Sequence, residues 1–134
     1  MLKDIKEPVS EGVTVAAIYE LNGDQEMVWN IYLLNYKETP IESVLITSKG
    51  YGEKDGEEVN TSTLRHFVKE MPPLSAARIE PIQEDVFPLI NEYFVTYYEG
   101  STLYEKRFTF ESYSISVKNT QLIPFIGHQG IEIL

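Results

Sequence analysis

"NEYFVTYYEGSTLYEKRFTF", Asn91 to Phe110, decides the fold. Two runs dense in aromatic and β-branched residues flank a turn at Glu99-Gly100-Ser101, which reads as an antiparallel hairpin. In its second run Tyr104, Phe108 and Phe110 share a face with Lys106. Aromatics that face each other across such a pair add roughly 0.2–1 kcal/mol each.

The chain on either side repeats this grammar. "VTVAAIYEL" sets Val13, Val15, Ala17, Tyr19 and Leu21 against Thr14, Ala16, Ile18 and Glu20, the period of a strand. Asn22-Gly23 closes it, and that dipeptide predicts a type I′ hairpin because both central residues then need positive φ. The partner, "EMVWNIYLLNY", is apolar on both faces, as a central strand is. Pro40 stops the ladder, and Val44 and Ile46 restart it. Residues 59–70 fit a helical face through Leu64, Phe67 and Val68 or a strand through Leu64, His66 and Val68, and the strand reading is preferred. "SAARIEPI" places Ala77 and Ile79 on one face and Arg78 and Glu80 on the other. In the tail, "SISV" reads as a further strand piece, and Pro124 with two glycines places any strand of "QLIPFIGHQGIEIL" at an edge.

About seven short strands without a convincing long helix predict an all-β, antiparallel β-sandwich, with a small β-barrel as the alternative. "LLNYKETPIESVLITS" and "MPPLSAARIEPI" resemble strand–turn–strand passages of immunoglobulin-like modules, although the cysteine pair of antibody domains is missing. At 134 residues the chain is one domain, 1–134, with residues 1–11 as a flexible polar lead-in.

Composition narrows the function classes. With 21 acids against 11 bases the formal charge is -10, which argues against a nucleic-acid backbone or an anionic membrane surface as partner. No cysteine is present, so disulfides, thiolate zinc sites and cysteine nucleophiles are excluded together, and a reducing, cytoplasmic setting fits. Neither a signal peptide nor an apolar membrane span is recognisable.

The nearest thing to a site is "SKGYGEKDGEE", Ser48 to Glu58. Its G-x-G-x-x-x-G spacing is one residue longer than the dinucleotide fingerprint, and Glu53, Asp55, Glu57 and Glu58 would repel a phosphate. The same acids could offer oxygens to calcium, but the EF-hand spacing is not matched. Tyr51 with Arg65 and His66 completes a speculative binding loop, since arginine clamps carboxylates and histidine moves protons near neutrality. Neighbours on a strand nevertheless point to opposite faces. No catalytic constellation, cofactor motif or histidine-rich metal pattern occurs, and His128 in "GHQG" is expected to be exposed.

"TSKGYGEKDGEEVNTSTLRHF", "ARIEP" and "NEYFVTYYEG" together resemble a small family of uncharacterised bacterial proteins, over roughly Trp29 to Phe110. Members of that family sometimes carry the label of a phenylalanyl-tRNA synthetase alpha subunit. Arg78-Ile79-Glu80 is similar to the R-x-E of class II synthetase motif 2, but the chain has no glycine-rich motif ending in arginine and no room for the catalytic domain. The resemblance therefore transfers no functional residue. The expectation is a non-catalytic β-sandwich that binds a protein partner or a second copy through a strand edge or a tyrosine-bearing face. The alternative is a small-molecule or metal-binding protein centred on loop 48–58 with Arg65 and His66.

Overall fold

Apolar residues at every second position give a strand one face to bury, and the computed structural model, which describes residues 8–134, is built on that pattern. Ten strands follow in order: β1 (Val13–Leu21), β2 (Met27–Asn35), β3 (Ile41–Lys54), β4 (Glu57–Asn60), β5 (Leu64–Met71), β6 (Ser75–Pro81), β7 (Ile90–Glu99), β8 (Thr102–Phe110), β9 (Gln121–Ile123) and β10 (His128–Ile133). Helical structure among the described residues is confined to single 3-10 turns at Glu84–Val86 and Val117–Asn119.

The first sheet runs β6-β2-β1-β10-β9, and the second runs β4-β3-β7-β8 with β5 also on β3. All pairings are antiparallel. The sheets stack face to face as a β-sandwich and do not close into a barrel. The strand count exceeds seven partly because the return along β3 is split. Lys54–Tyr51 pairs with β4 and Ser48–Ile41 with β5, and the break between them lies beside Gly50, whose N–H donates to Thr61 Oγ1 at 2.7 Å.

One core cluster joins the two sheets. Val15, Ala17, Ile31 and Leu33 from the first meet Val44, Ile46, Tyr93, Val95, Tyr97 and Phe108 from the second. A smaller cluster on the outer face of the first sheet holds Ala16, Ile18, Leu34 and Ile123. Both faces of β1 and β2 are thus buried, which is why "EMVWNIYLLNY" is apolar in both phases.

Several local expectations change. The β1–β2 turn is not type I′: the positive φ falls on Gln25, and Asn22 Oδ1 accepts from the backbone N–H of Asp24 and Glu26 at 2.8 and 3.0 Å. That side-chain cap organises a longer loop than the dipeptide implied. Consecutive positive φ values occur instead at Asp55 and Gly56, the β3–β4 turn. β10 is no edge strand, because it lies between β1 and β9, and "SISV" leads into a 3-10 turn rather than forming a strand. Of the lead-in at 1–11, residues 1–7 lie outside the described residues. Ser10 is buried, with its hydroxyl 2.6 Å from the Tyr97 hydroxyl, so the end of that segment is anchored.

Candidate functional site

The two outer faces of the sandwich are treated differently. On the first sheet, Phe125 and Ile126 from the β9–β10 turn fold over Ala16, Ile18 and Leu34, and the Phe125 ring lies 4.3 Å from that of Tyr36. Two carboxylates flank the covered patch. Glu20 accepts from Asn30 and Tyr32, and Glu132 from Thr14 and Tyr36. Burial, reinforced by the Glu20 contact, pushes the Tyr32 phenol up to about 12, and the same two causes, with Glu132 as partner, raise Tyr36 as well.

On the second sheet Pro8 borders the outer face beside Phe94, Leu103 and Arg107, and among the described residues no turn folds over it as Phe125 and Ile126 do over the first. Leu45 pairs with Phe67 across β3 and β5, Tyr98 pairs with Leu103 across β7 and β8, and Phe94 lies on the same face between them. Phe67 is 64% exposed and Leu103 46%. By register and alternation this face also carries Glu42, Glu70, Glu92 and Glu105 with Lys49, Arg65, Lys69 and Arg107, four acids against four bases. Glu92 bridges Lys49 at 3.7 Å and Arg107 at 3.4 Å, and the Arg107 guanidinium sits 5.3 Å from the Phe94 ring centroid. An aromatic, charge-balanced face therefore stands out on a chain of net charge -10.

The edge of this sheet is guarded. β8 pairs only with β7, but Lys106 points to the inner side of that edge with Nζ 5.2 Å from the Phe108 ring centroid. A lysine in this position opposes pairing with another strand.

The residues singled out in loop 48–58 form a hairpin rather than a cradle. Glu53 lies opposite Glu58 and Lys54 opposite Glu57 across the Asp55-Gly56 turn, while Tyr51 pairs with Asn60. Glu53, Asp55, Glu57 and Glu58 are all exposed, and among the described residues no group of three or more acidic or histidine side chains is placed to hold a metal. Arg65 is exposed on the outer face, opposite Thr47. His66 faces the other way, with Nε2 2.7 Å from Glu80 Oε1. The structure thus separates Arg65 and His66 and brings neither to the acids.

Glu80 was expected on the outer face with Arg78. A β-bulge overturns this: the β2–β6 register shifts between Ile31 and Tyr32, so that Arg78 opposes Tyr32 while Glu80 opposes the buried Ile31. Such an extra residue re-aims the side chain that follows it. Glu80 consequently enters the space between the sheets, its side chain only 10% exposed, and collects three partners from the second sheet. Ser48 Oγ donates to Oε1 at 2.9 Å, His66 Nε2 lies against Oε1, and the Tyr93 hydroxyl donates to Oε2 at 3.2 Å. Burial, then the charge and hydrogen bond of Glu80, drives the Tyr93 phenol far above its ordinary range. The cluster is not a nucleophilic triad, because Ser48 and His66 both bond the carboxylate and the histidine does not stand between the other two.

No protein-family model matches the chain, and comparison with curated proteins and with solved structures likewise returned no match. Among the described residues no helix is long and apolar enough to cross a membrane.

Proposed function

We propose that this is a non-catalytic protein-interaction module that binds through the outer face of its second sheet, with a second copy of the chain as the occupant favoured by charge. The observation that supports it is the set Leu45, Phe67, Tyr98 and Leu103, exposed among the described residues, with half-buried Phe94 between them and Arg65 and Arg107 beside them. Aromatic and arginine anchors dominate protein interfaces. The balance of acids and bases on this face favours two copies meeting there, against the repulsion expected between chains of net charge -10.

Strand spacings of ~4.8 Å and rises of ~3.3 Å per residue give four strands of about eight residues a footprint of roughly 500 Å². Two such faces bury about 1,000 Å², the size of a weak, reversible association rather than an obligate dimer. The immunoglobulin-like comparison, a cytoplasmic setting and the kinship with the small bacterial family belong to this reading, supported by the sandwich architecture, the lack of cysteine and the residues already quoted. An aminoacylation role gains nothing, since Arg78 and Glu80 of the R-x-E sit on opposite sides of the first sheet.

Sedimentation equilibrium over micromolar to millimolar protein tests the proposal, with Phe67→Asp as the control. Concentration-dependent dimers that vanish in Phe67→Asp support it. A chain that stays monomeric throughout, or that binds single-stranded RNA through the same face, overturns it.

A further inference from the structure

Beside Glu80 the two sheets part to leave a cleft of about 330 Å³, opening between the end of β3, the end of β6 and the segments that follow β4 and β6. Its walls include Leu64, Ile82 and Val86, and its polar floor consists of Glu80, Tyr93 and Asn91. This volume lies at the lower end of small-ligand pockets.

The hydrogen-bond inventory of the floor is one-sided. A carboxylate offers about four lone-pair sites, and Ser48, His66 and Tyr93 fill three, leaving Oε2 of Glu80 with one acceptor site. Asn91 is 6% exposed, and its Nδ2 is committed to the carbonyls of Val86 and Leu89. Among the described residues no donor reaches its Oδ1. The hydroxyls nearby are spent as well: Thr61 Oγ1 donates to the Ser62 carbonyl, and Lys49 turns away to Glu92 on the outer face. Two acceptors, one of them on a buried carboxylate, are therefore presented in a cleft whose remaining side-chain donors, Ser62 and Gln83, are exposed to solvent and whose lining also includes the acid Asp85.

Their spacing is set by β3. Ser48, the partner of Glu80, and Gly50, beside Asn91, occupy successive inward positions, about 6.7 Å apart along a strand. A Cβ at Gly50 would crowd this position, standing 3.0 Å from Asn91 Oδ1 and 3.1 Å from Thr61 Cγ2, so these side chains would have to shift. Both acceptors can reach water in the cleft, since among the described residues the buried side-chain polar atom left without a partner is Ser114 Oγ, and a ligand that supplies donors there exchanges those water contacts for its own.

We infer that this cleft binds a small organic cation, a primary ammonium seated on Glu80 with a second donor reaching Asn91 Oδ1 and an apolar spacer against Leu64, Ile82 and Val86. The site is independent of the outer-face interface and of the acidic hairpin.

Titration calorimetry of the full chain with 1,4-diaminobutane, and with 1,4-butanediol as the uncharged control, tests it. Saturable one-site binding of the diamine is expected, about tenfold or more tighter than the diol, as a charged hydrogen bond against a neutral one implies. Glu80→Gln should weaken the diamine at least about tenfold while leaving the diol unchanged. Gly50→Ala keeps the carboxylate and its three partners but fills the space at Asn91, and so tests the cavity even where Glu80→Gln folds poorly. Absence of saturable heat with the wild-type chain, equal binding of diol and diamine, or unchanged binding in Gly50→Ala overturns the inference.

Discussion

Removing the Glu80 carboxylate should be among the most damaging single changes in the molecule. In Glu80→Ala the Ser48 hydroxyl, His66 Nε2 and the Tyr93 hydroxyl lose their common partner inside the sandwich. Hydrogen bonds to a charged group contribute about 1.5–3 kcal/mol each, so three give a gross loss of roughly 5–9 kcal/mol. Restoring the hydration of Glu80 in the unfolded state and admitting water to the vacated space offset part of this. Breaking one side of a buried charged network typically costs about 3–5 kcal/mol, and that is the expected loss. It is a large share of a total stability of about 5–15 kcal/mol. With a urea dependence near 2 kcal/mol per molar, the unfolding midpoint should fall by about 1.5–2.5 M. Urea unfolding followed by Trp29 fluorescence measures this, since Trp29 is buried at the inter-sheet core. Adding Tyr93→Phe to Glu80→Ala should then cost less than Tyr93→Phe alone, because the pair is in contact. A midpoint shift under about 0.5 M, or strict additivity of the two substitutions, refutes the assignment of Glu80 as the inter-sheet anchor.

Gly130→Ala should destabilise by about 1–3 kcal/mol, because the new Cβ would stand 2.6 Å from the Ala17 carbonyl oxygen and 2.7 Å from Ile18 Cδ1. Thermal unfolding should show a Tm loss of roughly 10 °C, whereas Gly23→Ala, with nothing within 4 Å, should leave Tm unchanged. High pH should also weaken the fold. Tyr32, Tyr36, Tyr93 and Tyr97 all have raised phenol pKa values, chiefly from burial. A raised phenol contributes its stability fully below the unfolded value near 10 and loses it as pH climbs towards the folded value, about 12 for Tyr32. Urea midpoints should therefore hold up to about pH 10 and fall above it, and phenolate absorbance of these four tyrosines should appear together with unfolding. Ionisation of all nine tyrosines near pH 10 in the folded chain would contradict the burial assigned to them.

Period-two alternation made the sandwich legible. Val13–Leu21 and the Asn91–Phe110 hairpin both fold as strands between turn residues, the hairpin with alternating burial, whereas β1 is buried on both faces because Thr14, Ala16 and Ile18 are buried as well. The Glu80 anchor was illegible for the same reason. Alternation assigns Glu80 to the face of Arg78, and only a one-residue slip against β2, between Ile31 and Tyr32, turns it inward, which residue-type alternation cannot reveal. The uncovered outer face did leave a signal. "NEYFVTYY" is aromatic in both phases, with Tyr93 and Tyr97 in one and Phe94 and Tyr98 in the other, and a strand with a single buried face needs only one of them. The cover on the first sheet was harder to foresee, because Phe125 and Ile126 reach Leu34 only after β10 inserts between β1 and β9.

On the proposed reading, the placement of charge fits the use of the second sheet's outer face, open among the described residues, as a contact surface. An excess of ten acids keeps two copies apart at distances beyond contact, with screening over about 8 Å at physiological salt. A chain protected in this way has little to lose from exposed apolar residues, provided they are scattered. Here they are gathered instead, Leu45 against Phe67 and Tyr98 against Leu103, on a face where Lys49, Arg65, Lys69 and Arg107 balance Glu42, Glu70, Glu92 and Glu105. The same sheet guards its β8 edge with Lys106. On the proposed reading, the lysine at the β8 edge disfavours pairing there, the β9–β10 turn covers the outer face of the first sheet, and the outer face of the second is, among the described residues, the surface left for face-on contact. Lateral strand addition would leave Phe67 in water, and face-on docking buries it.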